Sequence, residues 1–576
     1  MPRSRPPLSL KSYLFLMVLA LGLGGLYRFT EIEKKPMHTD EAILALKTQE
    51  YWQTGFFKYD PKDYHGPFLH HATRWVGAVG GWNVHDLTEK QFRWVIALFG
   101  MGLIILPLLL TDALGRRGSG IASLFIAVSP MMNYYSRYYI MEVPFVFLLG
   151  LFMASLWRWS RSKNLLWLLV AGVCLGWMHA TKETFVINLA AMFAGWVVAR
   201  LLIGPFDAKP KIYTFKRPSA AKRFWLPLVL VLSVAGLTSV WMFSNGFKDW
   251  QGVLDSIVTY ESYLKRSGGS GHEKPWTYYL SLLFWTKNVF TWTEAMIGGL
   301  AFLGILSSFL DLRREKNKRS FLVFMSVYAI VLLSIYSVIP YKTPWSILAV
   351  NYALALLAGV GARVLFRNLE GAIIQGVLFI AFALGIYHLC RQTSLATDYA
   401  YKGENRYAAD VRNPYVYSHT SSNLLELQKL IHDLAAIHPE HRSMPVQIIQ
   451  SENGWPLPWY LRDMTHVGYQ SEIPEAIDAA VIVMDLDKTE AVLALLNRPE
   501  KLQEIIIDPT SEPLTEPPAP KPIISYESSI YGLRTGIDSK ERTDGDSKVS
   551  PSINLNVLVR KDLWNQLLVQ RALSAK

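Results

Sequence analysis

About eleven apolar runs, each close to the ~20 residues that a helix needs to cross a bilayer, fill the first 390 of the 576 residues. They fall at 12–28, 92–111, 119–136, 142–157, 165–180, 184–202, 224–243, 288–310, 320–339, 345–362 and 371–390. A soluble fold would have to bury every face of these runs. The chain has little charge with which to cover them: 18% of residues are charged and 51% hydrophobic. It therefore reads as a polytopic α-helical membrane protein. The same balance excludes an intrinsically disordered chain. The first run follows a basic stretch, as a signal peptide would, but no A-x-A site follows it. It reads as an uncleaved span.

The net charge of +12 would by itself suit a nucleic-acid binder. Position decides otherwise. Alternate loops, from Arg3, Arg5 and Lys11 to Arg363 and Arg367, hold 22 basic residues against five acidic ones. The intervening loops are near neutral. The positive-inside rule puts the basic set in the cytoplasm, with the N-terminus inside and the segment after residue 390 outside. The basic excess thus reports orientation in a plasma membrane, and no nucleic-acid partner is expected. Cys174 and Cys390 lie far apart in apolar runs and support neither a disulfide framework nor a cysteine metal site.

Residues 1–390 therefore form a transmembrane domain with outer loops at 29–91 and 244–287. The second loop carries Ser267-Gly268-Gly269-Ser270-Gly271, a flexible segment able to close over a lipid. Residues 391–576 have soluble composition and read as an extracytoplasmic α/β domain. Val446–Gln450 and Ala480–Met484 suit strands, and Leu424–Ile437 and Lys488–Leu496 suit helices. The proline-rich run 513–522 reads as a linker.

The residues that could carry chemistry lie on the outer side. In Met37-His38-Thr39-Asp40-Glu41-Ala42 two adjacent carboxylates start a helix over Asp40–Gln53, with Thr39 as its N-cap. Acids there also suit the helix dipole alone. The string Tyr64-His65-Gly66-Pro67-Phe68-Leu69-His70-His71 follows, with a turn at Gly66-Pro67. A surface-lying helix then runs over 68–79. Arg137 and Glu142 bracket a short tyrosine-rich loop. Lys182 sits in His179-Ala180-Thr181-Lys182-Glu183, and Lys342 in Tyr341-Lys342-Thr343-Pro344-Trp345. Ionisable groups at membrane depth are costly and tend to be functional. Three cations on one side, Arg137, Lys182 and Lys342, suit an anionic group such as a lipid phosphate. His38, His65, His70 and His71 share a loop with Asp40 and Glu41, the residue types a divalent metal takes. Their spacing matches no metal motif, so no cofactor is expected. Asp485-Leu486-Asp487 reads as a strand-end loop.

A large outer loop carrying Asp-Glu soon after the first span resembles the GT-C membrane glycosyltransferases. The nearest in style are the protein O-mannosyltransferases and lipid A aminoarabinose transferases of glycosyltransferase family 39. The ordered set His38 to Ala42, Tyr64 to Pro67, Ser136-Arg137-Tyr138 to Glu142, Pro340 to Trp345 and Glu452 to Asp463 is most similar to another family, the prokaryotic flippase-activity-associated proteins of archaeal N-glycosylation clusters. The resemblance implies a transferase that moves a sugar, with inversion, from a polyprenyl-phosphate donor to a hydroxyl on a glycan, lipid or protein. It implies Asp40 as base and Glu41 orienting the acceptor or Asp40. It also implies Arg137, Lys182 and Lys342 holding the phosphate, with Glu142, His65 and Tyr341 in support. The alternatives are a non-enzymatic flippase or flippase partner, disfavoured because the ionisable residues cluster on one side, and an oligosaccharyltransferase, whose W-W-D-Y-G string is absent.

Overall fold

The computed structural model describes residues 8–62, 65–203, 220–267, 272–288, 291–311, 314–369, 371–397, 407–410, 412–451, 454–496, 526–535 and 552–574. Tyr64, Gly268 to Gly271, Glu452, Asn453, the run 513–522 and several cytoplasmic basic residues, among them Arg3, Arg5, Lys209 and Arg313, lie outside the described residues. The chain divides into two compact units. The first comprises Met1–Lys35 and Leu44–Tyr417, the second Pro36–Ile43 and Ser418–Lys576. The sequence suggests a boundary at 390. The helix Ala372–Ala396 runs through that point, so the first unit ends later.

The first unit is a multi-pass helical membrane body. Among the described residues eight helices are long and apolar enough to span. Three of the eleven expected runs form shorter helices instead. Arg116–Val128 stops where Pro130, which lacks an N–H, starts a new helical turn, with the Ser129 hydroxyl accepting from Met132 N–H. Its 13 residues rise only about 20 Å, against a hydrocarbon core of about 30 Å. Leu166–His179 and Ala295–Leu310 are the other two. Hydropathy located these runs but overran their ends, because apolar residues such as Met131 and Met132 continue beyond the point where the helix stops.

Burial separates the helices by role. The span Pro344–Asn368 is 89% buried in its most apolar window, whereas Ala372–Ala396 is 6% buried. The first packs against Ala295–Leu310 so closely that a Cβ on Gly361 would run into the Leu300 carbonyl. The second is apolar all round, as a lipid-facing helix should be. The described residues of segment 244–287 contain regular structure. Trp250–Ser267 is an amphipathic helix, and Thr286–Lys287 (β1) pairs antiparallel with Thr291–Trp292 (β2).

In the second unit, Val446–Ile449 (β3), Val467–Gln470 (β4), Val481–Asp485 (β5), Tyr526–Thr535 (β6) and Ser552–Arg560 (β7) form a sheet in the order β4-β3-β5-β7-β6. The pairs β3–β4 and β3–β5 are parallel, and the β7 pairings are antiparallel. Strand β5 is buried throughout, which its unbroken apolar run requires. Ile449, Ile482, Met484, Val492 and Leu558 form one core. Leu424, Leu427, Leu430, Ile431 and Leu434 line the buried face of the helix Asn423–Ile437. The two expected strands and two expected helices are present within a residue or so. β6, β7 and the helix Lys561–Ser574 were not read from the sequence.

Candidate active site

In the second unit, Pro36–Ile43 is held by its backbone. Met37 N–H donates to the Tyr460 hydroxyl (2.7 Å) and the Thr420 hydroxyl donates to Met37 O (2.6 Å). Tyr460 belongs to the short helix Leu457–Tyr460, inside the proline–tryptophan string that the sequence singled out. The helix that follows starts at Thr39, so His38 and not Thr39 occupies the cap. Glu41 is the third helical residue, and its Oε2 accepts from His38 N–H at 3.1 Å. This is the reach-back half of a capping box. Glu41 is fully buried and part of its acceptor capacity is spent on the helix start. Asp40 N–H donates to His38 Nδ1 at 3.0 Å. That nitrogen therefore has no proton to give the Asp40 carboxylate 3.8 Å away, and the Asp40 side chain stays 42% exposed. Of the adjacent pair, Asp40 is the carboxylate open to chemistry.

In the first unit, His65-Gly66-Pro67-Phe68 lies on the turn after helix Leu166–His179. Phe68 N–H donates to Ala180 O at 2.9 Å. A Cβ on Gly66 would strike that same carbonyl, so the approach needs glycine. The contact brings His65 Nδ1 to 2.7 Å from Glu183 Oε2. The Tyr263 hydroxyl, from the helix Trp250–Ser267, lies 2.7 Å from the same nitrogen. Next to Glu183, Lys182 Nζ donates to Glu142 Oε1. Two oppositely ordered pairs thus sit side by side on one turn. Glu142 and Lys182 line a small cavity with Tyr336, Trp345 and Ser346.

The other expected cations are engaged differently. Arg137 donates to the carbonyls of Tyr27 (2.9 Å), Thr30 (2.7 Å) and Glu31 (3.0 Å), at the C-terminal end of helix Leu10–Phe29. Carbonyls orphaned there attract a guanidinium by hydrogen bond and dipole. Arg137 therefore closes a helix end, and it also lines a small cavity with Glu31, Lys34, Lys35 and Tyr134. Lys342 N–H donates to His272 O (3.0 Å), and its Nζ donates to the Lys274 and Ile339 carbonyls. Tyr341 packs its ring on His272, with centroids 4.9 Å apart. Lys182 lies beside a carboxylate, Glu142.

The electrostatics follow from these partners. Burial pushes Glu183 upward, but the His65 charge and hydrogen bond outweigh it and hold the carboxyl below its ordinary value. Burial pushes Lys182 downward, but the Glu142 charge and hydrogen bond leave it above its ordinary value. Burial lowers Lys342. Burial also lowers His70 to about 3 and His71 to about 4. These two are neutral side chains bonded through Nδ1 to Thr48 (2.7 Å) and Tyr51 (2.9 Å). They pack the interior.

Glu183 lay within a string that the sequence marked, yet its role was not read. The clue was the acid beside Lys182. Tyr263 carries no sequence signal of its own, because the Gly-Ser run that follows it suggests a flexible loop. Nor does a buried cluster in which Glu294 accepts from Ser129 Oγ (2.9 Å), Met131 N–H (3.0 Å) and Asn351 Nδ2 (3.0 Å), tying three helical segments together.

Residues 70–244 match the model of the dolichyl-phosphate-mannose-protein mannosyltransferase family. The match includes Arg137, Glu142, Lys182 and Glu183 and leaves out Asp40, His65 and Lys342. No curated protein matches the chain. Among solved structures, ArnT from Cupriavidus metallidurans bound to undecaprenyl phosphate is similar at TM-score 0.55 and 14% identity, over 96% of this chain and 99% of that one. The apo oligosaccharyltransferase of Archaeoglobus fulgidus is similar at TM-score 0.53 and 13% identity, over 85% and 71%. At such identities the likeness is one of fold. The chain is a multi-pass membrane protein with the GT-C fold.

Proposed function

We propose that the protein is a glycosyltransferase that moves a sugar from a polyprenyl-phosphate donor to an acceptor hydroxyl on the extracytoplasmic side of the plasma membrane. The observation that carries the reading is Lys182, a buried cation on a cavity in a fold shared with a protein solved bound to undecaprenyl phosphate. The basic rim of the alternate loops supports an outer-side position for the turn holding Lys182. The finer likeness to the flippase-activity-associated proteins rests on the ordered motifs and stands as part of this proposal.

In transfer, the acceptor oxygen bonds to the anomeric carbon, and the bond to the phosphate oxygen breaks with its electron pair passing to phosphate. One displacement inverts the centre. Asp40 is the proposed base that takes the acceptor proton. Lys182 faces the charge that grows on the phosphate, with Lys342 as a second cation, and Glu142 fixes the Lys182 ammonium. Arg137 supports from the helix end it closes. The reading needs no metal, because side-chain cations carry the neutralising charge.

The test supplies membranes holding the full chain with radiolabelled undecaprenyl-phosphate hexoses and follows label into water-soluble, lipid and protein fractions. Label leaving the donor in wild type, and at least ~100-fold more slowly in Lys182→Met, supports the reading. Donor that is only redistributed between leaflets, with the sugar still attached, would favour the flippase alternative.

A further inference from the structure

The pairing at His65 reaches further than support. Its Nδ1 is held by a buried carboxylate, Glu183 Oε2, at 2.7 Å. The Tyr263 hydroxyl closes on the same nitrogen from a separate helix. The backbone on either side is fixed as well, by the glycine contact at Gly66 and the Phe68–Ala180 hydrogen bond. A surface histidine that only packs would not have its ring orientation set by three elements. A carboxylate on one imidazole nitrogen fixes the proton there and leaves the other nitrogen for a ligand. Among the described residues Nε2 has no hydrogen-bond partner, and the side chain is 26% exposed. Glu183 follows Lys182 directly in the chain, so His65 is anchored to the residue next to the proposed phosphate cation.

We propose that His65 is a phosphate ligand: its Nε2 binds the phosphate oxygens of the lipid-linked donor, and Glu183 is the positioning residue that sets the ring. The proposal rests on the transferase reading above. In this arrangement Nδ1–H donates to Glu183 and Nε2–H donates to phosphate. As the sugar leaves, the phosphate gains negative charge, and this hydrogen bond strengthens without any proton having to cross. The arrangement also accounts for the sequence. His65, Gly66, Ala180 and Glu183 form one interlocked contact, of which Gly66 and Ala180 supply the close approach and His65 and Glu183 the chemistry.

The experiment measures binding by the purified full chain in detergent, through tryptophan fluorescence, of undecaprenyl phosphate, undecaprenol and inorganic phosphate. His65→Gln is expected to weaken undecaprenyl phosphate about tenfold, the loss of one charge-assisted hydrogen bond. It is expected to leave undecaprenol unchanged. Glu183→Gln should weaken the phosphate lipid severalfold with the same selectivity. Inorganic phosphate that competes for the site would mark the headgroup as the recognised part. Phosphate-lipid binding unchanged in His65→Gln would overturn the proposal, as would a parallel loss of both lipids, which marks a structural role. Wild type that binds undecaprenyl phosphate no better than undecaprenol would remove the transferase reading itself. Binding measured well below the melting temperature of each variant establishes that unfolding is not the cause.

Discussion

The turn Ala180–Glu183 and the helix start His38–Glu41 each place two ionisable residues next to one another, and the structure treats them in opposite ways. On the turn both members are matched, Lys182 by Glu142 and Glu183 by His65. At the helix start one member is consumed and one is left open. Glu41 closes on the His38 amide, while Asp40 stays 42% exposed. A group meant to hold a fixed charge through a cycle is best kept buried and paired. A group meant to take up and release a proton has to keep contact with solvent or substrate. The contrast is what the proposed roles require, with binding at the turn and proton transfer at the helix start.

Substitutions can break this contrast at different points. Glu142→Ala leaves the Lys182 ammonium buried and without its carboxylate, which should cost about 3–5 kcal/mol. A large fall in melting temperature checks it, and the double variant Glu142→Leu with Lys182→Met should recover most of the loss. Glu183→Gln should cost about 1–3 kcal/mol through its hydrogen bonds, and it carries a pH signature. A carboxylate held below its ordinary value stabilises fully above the usual carboxylate range, and that contribution is lost as pH falls through its lowered value. Wild type should therefore lose stability on acidification more steeply than Glu183→Gln, as thermal unfolding across pH 3–7 would record. Glu41→Ala should cost about 1 kcal/mol by removing the reach-back bond, and Glu41→Gln much less. An equal fall in both would show that the charge, not the hydrogen bond, is what the helix start uses.

Much of the fold was legible because a bilayer permits so few solutions. Eleven apolar runs, with basic residues in alternate loops, leave little but a helical membrane body. The errors were of extent. Nothing in 119–136 but Pro130 marks where Arg116–Val128 stops, and hydropathy counts that proline as neutral. The Gly-Ser run beside Trp250–Ser267 masks its helical pattern in the sequence. In the second unit β5 was plain from its apolar run, whereas β6, with Ser528, Ser529 and Gly532, has no comparable pattern. The site was legible in residue types more than in roles. Lys182, Glu142 and His65 were marked, but only geometry separates Arg137, whose guanidinium lies on backbone carbonyls, from Lys182, whose ammonium lies on a carboxylate, although each lines a small cavity. No one-dimensional pattern tells a guanidinium on carbonyls from one waiting for phosphate.

The central claim is tested most directly by Asp40→Asn, an exposed and nearly isosteric change expected to move stability by less than about 0.5 kcal/mol. In membranes given labelled undecaprenyl-phosphate sugar, the variant should bind the lipid as wild type does and lose at least ~100-fold in transfer. Undiminished transfer by Asp40→Asn would contradict the account.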